Sequence, residues 1–405
     1  MGTPLEGIRA IDWGAFANGP LIGVMLGDLG ADVIKIEDPV SGDPSRGMQS
    51  MYGSSMNLPH GRNVLIEATN RNKRSITIDL KKEEGKKIVQ RIIRNSDIFF
   101  TNYTMIIANR LRMDYKTLSQ FNPRLIYCNA SGFGTKGPDA GKRAFDSIAL
   151  ARMGLMMAAG EEGSPPAQIT GAIADTMGAS MATLGILAAL ACRERTDIGQ
   201  EVETSLLHAL IWLQYTSITT YLLRGNEMRR YSRPNAANPM ANHYECKDHQ
   251  WIMLAEPQSD RFWHEFCEVL NIPEMENDNK FKNAKARVMN KRELIEILDR
   301  VFATKERDAW IKEFEKAEVK FAYGPINTLA EAMEDPQVIA NEYIVDYNHP
   351  VLGATKQVAL PAKFSESEVS IRYPAPEIGQ HTEEILLEIG YSWEDIANLR
   401  DQKVI

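Results

Sequence analysis

Strand-forming and helix-forming stretches take turns through the first third of this chain, and that alternation restricts the fold more than any other feature. "GIRAIDW" precedes a helical pattern over 18–30, and "DVIKIE" follows. After a long loop come "RSITIDL", a helical pattern over 82–95, "DIFFTN", another over 105–120, and "RLIYCNAS". Strands separated by helices pair in parallel and are covered on both faces. The fold class expected is therefore α/β. Further helical patterns over 146–160 and 172–194 lead into "EVETSLLHALIWLQYTSITTYLL", a short strand running into a helix.

Around 225–241 "GNEMRRYSRPNAANPMA" breaks this periodicity and reads as a linker into a second, smaller α+β domain. There "HYECKDHQWIMLA" predicts a hairpin, and 258–318 is rich in helix, Lys and Glu. From about 326 the chain returns through a helix and the hairpin "EYIVDYNHPVLGATKQVAL". It ends in "HTEEILLEIGYSWEDIANLRDQKVI", helical and placed to pack back on the first domain. The divisions drawn are 1–224, 225–325 and 326–405.

The chain's 405 residues and 44% hydrophobic content supply a large core. A formal charge of -8 gives no general attraction to nucleic acid or to an anionic membrane, so neither partner is expected. The four cysteines, Cys128, Cys192, Cys246 and Cys267, are dispersed without a C-x-x-C pair, which fits a reducing, cytoplasmic compartment. His243, Cys246 and His249 lack a fourth ligand nearby, so no metal site is expected. No signal peptide, myristoylation signal or apolar run of spanning length is read from the sequence.

Several motifs are weaker than they look. "GFGTKG" at 132–137 spells a dinucleotide fingerprint, yet Pro138, Asp139 and Gly141 oppose the helix that must follow it. Glu37 imitates a ribose-binding acid, but the turn "WGAFANGP" has glycines only at 14 and 19. The seven histidines are scattered and no G-x-S-x-G elbow exists to pair with one. Lys73, Arg74, Arg110, Lys136, Lys142 and Arg143 fall at strand ends and in loops after strands. There they read either as a solvated face or as a cradle for a phosphate-bearing ligand.

Asp175 is the odd residue in "GAIADTMGASMATLGILAAL". Small residues at 171, 172, 178, 179 and 182 strip bulk from one side of its helix, and no Lys or Arg lies between Arg152 and Arg193. Buried there, the carboxylate would be poorly solvated and suited to act as a nucleophile or base. The alternative is a plain helix N-cap. The residues alone leave both open.

Taken in order, "PLEGIRAIDW", "GPLIGVMLGDLGADVIKIE", "SGDPSRG", "NKRSITIDL", "SDIFFTNYT", "NPRLIYCNASGFGTKGP", "AFDSIA", "RTDIGQEVETSLLHA" and "GQHTEEILLEIGYSWEDIANL", with the Asp175 segment, resemble the family III CoA transferases of the formyl-CoA transferase type. The resemblance runs from residue 4 to the C-terminus and is weakest over 225–325. It implies a Rossmann-like large CoA-binding domain built from both chain ends, a small domain from the middle, and two subunits interlocked as a homodimer. It also implies that Asp175 attacks an acyl-CoA thioester and passes CoA to a free carboxylate through covalent intermediates, with CoA as substrate and no permanently bound cofactor.

The resemblance further implies CoA contacts at Phe16, Ala17, Asn18, Lys73, Asn102, Tyr103, Arg110, Arg143 and Phe145. Ala15 to Asn18 replace the His and Gln of the formyl enzymes, leaving backbone contacts, and Asp38 replaces an Arg. The glycine loop of those enzymes is missing from "NPMANHYECKDHQWIML". These departures point to a larger or more apolar acyl group, with Met48, Met51, Met56, Met153, Met156 and Met157 as candidate lining. A racemase of the same fold is the runner-up, but its "GHD" reads "AFD" here, with Phe145 in place of the second base. A non-catalytic CoA-binding protein is the third reading.

Overall fold

The computed structural model describes residues 2–226 and 230–405. The chain forms two compact units: Met1–Met156, Gln168–Glu227 and Tyr343–Ile405 make one, and Met157–Ala167 with Met228–Glu342 make the other.

The first unit is built on six strands: β1 (Arg9–Trp13), β2 (Asp32–Glu37), β3 (Lys73–Thr77), β4 (Ile98–Thr101), β5 (Ile126–Ser131) and β6 (Glu201–Ser205). All five pairings are parallel, in the order β3-β2-β1-β4-β5-β6. Strand order therefore reverses between β1 and β4, and in a doubly wound sheet the crevice at that reversal takes the ligand.

Alternation along β1 sorts side chains between two layers. Ile11 and Trp13 join a core with Ile88, Val89 and Ile92 of helix Glu83–Ile93 and with Ile385, Leu386, Ile396 and Leu399 of the two C-terminal helices. The C-terminal segment thus packs back on the sheet as its apolar spacing predicts. On the opposite face Ala10 meets Ile22 and Leu26 of α1 (Asn18–Asp28). The same core takes in Ala179, Ala182, Ile186 and Leu190 of a 24-residue helix, Ile173–Thr196. That helix is apolar and long enough, by composition, to cross a bilayer, contrary to the sequence reading. Here its apolar face is spent on β5, β6 and α1.

Predicted helix 105–120 divides at Arg112, whose φ of 59° ends the first piece, and 146–160 divides before Leu155, where Gly154 has φ 78°. The predicted return hairpin forms from Ile344–His349 and Gly353–Val358. The second unit carries the antiparallel hairpin of His243–Glu245 with Trp251–Leu254, extended by Tyr323–Ile326. Its core is aromatic: Tyr244, Phe266, Phe302, Trp310 and Phe314. Within that unit Glu161 accepts from the Arg233 N–H, and Arg307 pairs with Glu331 at 3.1 Å, so segments 157–167 and 327–342 belong to it.

Charged groups lie beneath α1 with no exposure at all. Lys73 Nζ donates to Asp12 Oδ2 at 2.7 Å, to the Pro20 and Thr69 carbonyls and to Asn70 Oδ1. Lys35 Nζ donates to the Gly14 carbonyl at 2.9 Å and pairs with Asp43 at 2.9 Å. Breaking a buried pair strands the partner charge. Lys73→Ala is expected to lower unfolding free energy in urea by about 3–5 kcal/mol. Removing Asp12 as well should recover part of that loss.

Candidate functional site

The turn after β1 is set by the charges beneath it. Asp12 Oδ1 accepts from Gly14 N–H at 2.9 Å, and Asp43 Oδ1 from Phe16 N–H at 3.2 Å. Asn102, at the end of β4, both donates to and accepts from the Ala15 backbone at 2.9 Å. Gly19 is required here, because a Cβ would come within 2.8 Å of Asn102 Oδ1. These bonds fix the turn at the strand ends where strand order reverses. They also hold Phe16 at φ 63°, a region that costs a bulky residue energy.

Asn18 opens α1 and carries the turn to the catalytic candidate. Its Nδ2 donates to the Asp175 carbonyl at 3.0 Å. Gly178 allows this approach, since a Cβ there would meet Asn18 Nδ2 at 2.4 Å. Residues 173–196 form α3, and α2 is Asp146–Arg152.

The start of α3 excludes the N-cap reading of Asp175. The N-cap position is Ala172, with φ 53°, and it offers no side-chain bond. Asp146, from α2, supplies the missing acceptor: its Oδ1 takes the N–H groups of Ala174 at 2.6 Å and Asp175 at 3.2 Å. Asp175 is therefore not the cap, and its carboxylate is released for other use. The side chain is half-buried, and loss of water, reinforced by the Asp146 charge, pushes its pKa up to about 7. Asp146 Oδ2 and Asn18 Oδ1 are buried without a hydrogen-bond partner among the described residues.

The other sequence-predicted residues divide. Lys73 is wholly enclosed, so its side chain is engaged beneath α1 and does not face a ligand phosphate. Asn102 is likewise occupied by the Ala15 backbone. The reason is the same: each sits at a strand end, but its partners come from distant turns. Tyr103 is half-buried, its ring 4.7 Å from that of Trp13. Arg110 and Arg143 are exposed, on neighbouring segments: Gly141 lies so close to helix Met105–Leu111 that a Cβ would come within 2.5 Å of Ile106. Phe145, Phe16, Ala17 and Asn18 all border the start of α3 through Asp146 and the Asn18 amide.

Neither dinucleotide hint survives. Loop 132–137 has left-handed Gly134 and Gly137, is tied by Thr135 to Glu203, and starts no helix. Glu37 is held by Arg46 at 2.7 Å and by Ser75. Met56 is buried, and Met153 and Met156 pack against Ala149, Leu150 and Leu206. Asp38 turns its own loop by accepting from Val40 and Ser41. Asp146 escaped the sequence reading, although it directly follows Phe145 in "AFDSIA".

A doubly wound parallel sheet, with a half-buried carboxylate on a helix stripped of bulk near the point where strand order reverses, defines an α/β protein with an acidic candidate site. The chain belongs to CoA-transferase family III, whose match spans residues 5–382. It is 33% identical to (R)-2-hydroxy-4-methylpentanoate CoA-transferase of Clostridioides difficile over 402 residues, 99% of each chain. It is 30% identical to succinyl-CoA:glutarate CoA-transferase of Mus musculus, over 95% of this chain and 86% of that one. A crystal structure of a CAIB/BAIF family protein from Brucella suis superposes with TM-score 0.85 at 29% identity, covering 96% of this chain and 100% of that one.

Asp146→Ala removes the acceptor for the first turn of α3 and is expected to lower unfolding free energy in urea by about 1–2 kcal/mol. A second expectation concerns pH. The folded Asp175 carboxyl binds its proton more tightly than the unfolded one, whose pKa is 3.8, so folding is penalised as pH rises from there to about 7. Asp175→Asn should therefore raise Tm more at about pH 8 than at about pH 4, as followed by thermal unfolding.

Proposed function

We propose that this protein transfers CoA from an acyl-CoA thioester to a free carboxylic acid, with Asp175 as the covalent acceptor. The observation that carries this reading is the half-buried Asp175 carboxylate, poorly hydrated, beside small residues that let a thioester come close. An Asp175 oxygen attacks the thioester carbonyl and CoA thiolate leaves, giving a mixed anhydride. The thiolate then attacks the aspartyl carbonyl, the donor acid departs with one aspartate oxygen, and an aspartyl thioester remains. The acceptor carboxylate attacks that thioester, expelling the thiolate again. Attack of the thiolate on the acceptor's carbonyl gives the new acyl-CoA and restores the carboxylate. Thioester energy is conserved, and CoA enters as substrate.

The crevice residues have complementary parts. The backbone of Phe16 and Ala17, fixed by Asp43 and Asn102, borders the path of the pantetheine arm, and Asn18 holds the Asp175 peptide. Arg110 and Arg143 are exposed cations available for CoA phosphates, and the Tyr103 ring is available to the adenine. Both reported relatives are named as CoA-transferases, which supports the same reaction class here. A racemase needs a second base facing the first, and Phe145 offers none.

The working form is taken to be an interlocked homodimer in the cytoplasm. Support for association comes from the exposed apolar run that includes Trp212, Leu222 and Leu223, which are 55%, 73% and 81% exposed.

Asp175→Ala is expected to abolish transfer between acyl-CoA and carboxylate, followed by chromatography of the CoA esters, while calorimetry shows CoA binding retained. Robust turnover by that variant would end the proposal. In the parent protein, transfer should rise with pH through a single ionisation at about 7, because only ionised Asp175 attacks.

A further inference from the structure

Phe16 and Phe145, each close in sequence to a residue bonded to the Asp175 peptide, meet ring to ring, and the chain accepts strain to put one of them there. Phe145 immediately precedes Asp146, whose carboxylate holds the Ala174 and Asp175 N–H groups. Phe16 lies two residues before Asn18, whose amide holds the Asp175 carbonyl. Both rings therefore spring from backbone tied to the same peptide. They pack edge to face, with centroids 5.7 Å apart at 83°. Phe145 remains 50% exposed in that pairing, so part of its surface is uncovered.

The position of Phe16 is informative because its φ of 63° suits glycine, and its N–H is held there by Asp43 at 3.2 Å. Backbone strain of this kind persists where the surrounding structure enforces it. A third ring stands at the tip of the hairpin formed by Ser50–Met51 and Ser54–Ser55: Tyr52, also left-handed at φ 49°. Its hydroxyl pKa is raised by loss of water and by the charges of Asp146 and Asp175, which places it in their neighbourhood. Aromatic surface thus gathers around a pair of acidic groups.

We propose that Phe16 and Phe145 set acyl-group specificity, walling the space next to Asp175 so that an acyl group with an apolar branched-alkyl or aryl body is preferred over one ending in a second carboxylate. This rests on the reading in which Asp175 takes the acyl group. Apolar carbon gains by covering the open ring surface. A distal carboxylate would lose water against those rings and feel the like charges of Asp146 and Asp175. The two reported relatives fall on opposite sides of this division by name, one acting on a branched hydroxy acid and one on two dicarboxylic acids.

The test uses the full chain with isocaproyl-CoA, phenylpropanoyl-CoA and succinyl-CoA as donors, each measured for kcat/KM of exchange and for equilibrium binding. The parent should prefer the first two over succinyl-CoA by about tenfold or more. Phe145→Ala should erase most of that preference, lowering isocaproyl-CoA and phenylpropanoyl-CoA by about tenfold more than succinyl-CoA. Phe145→Leu should keep isocaproyl-CoA and lose phenylpropanoyl-CoA. Phe16→Gly, which suits the local backbone, should fold normally and shift the ratio in the same direction as Phe145→Ala. A parent that prefers succinyl-CoA, or variants whose binding and kinetic ratios match the parent's, would overturn the aromatic wall. Binding ratios that depend on Phe145 in a protein that exchanges no donor would instead overturn the transfer reading and leave the wall standing.

Discussion

Two lysines and two aspartates enclosed beneath α1 are the constraint from which the site follows. Burial works against the charge on Lys35, but Asp12, Asp43 and Glu37 outweigh it and hold its pKa well above the ordinary lysine value. Lys73 is more deeply compromised: burial lowers it to about 8 even with Asp12 pulling the other way. Such a cluster is costly unless every charge has a partner, and here the leftover bonding capacity of Asp12 and Asp43 is spent on the backbone of the turn that follows β1. The charges that would destabilise an apolar interior are thereby turned into a fixed loop.

That loop transmits its geometry to the Asp175 peptide. Asn18 leaves the turn and bonds the Asp175 carbonyl, while Asp146 arrives from the other side and bonds the amides of the same turn of helix. The helix start is thus held from both sides by side chains foreign to it. Because Asp146 does the capping, Asp175 is spared that duty. A carboxylate used as a cap accepts backbone N–H groups and is stabilised in its ionised form, which lowers its basicity. Asp175 instead has the Asp146 charge for a neighbour and little water, and both raise its basicity. With Asp146 in the capping role, Asp175 is left basic and uncommitted to the backbone of its own helix.

Much of this was legible in the residues. The alternating runs named every strand of the main sheet: the central strands read as apolar segments buried on both faces, and the edge strands "KRSIT" and "EVETS" by their β-branched residues at the boundaries of helical patterns. Asp175 stood out because nothing near it in sequence could neutralise it. Less legible was whatever depended on distant partners. Lys73 looked like a phosphate ligand since its Asp12 partner lies 61 residues earlier, and Asn102 bonds a backbone group 87 residues away. Asp146 gives no local sign that it serves another helix, because the Ala174 and Asp175 amides it accepts from lie 28 and 29 residues later. The left-handed Phe16 was hidden for a different reason: backbone preference argues against it, and only the tertiary hold of Asp43 makes it possible.

The proposed transfer rests on an Asp175 oxygen joining the acyl carbon, and isotopes can follow that oxygen. If the protein turns over with a carboxylate acceptor labelled with heavy oxygen on both positions, each cycle leaves one acceptor oxygen on the restored aspartate. Peptide mass spectrometry after turnover should find heavy oxygen on Asp175, with neighbouring Asp146 unlabelled. Complete transfer of CoA with an unlabelled Asp175 would mean that the two carboxylates exchange without the enzyme's own oxygen, and would contradict the account.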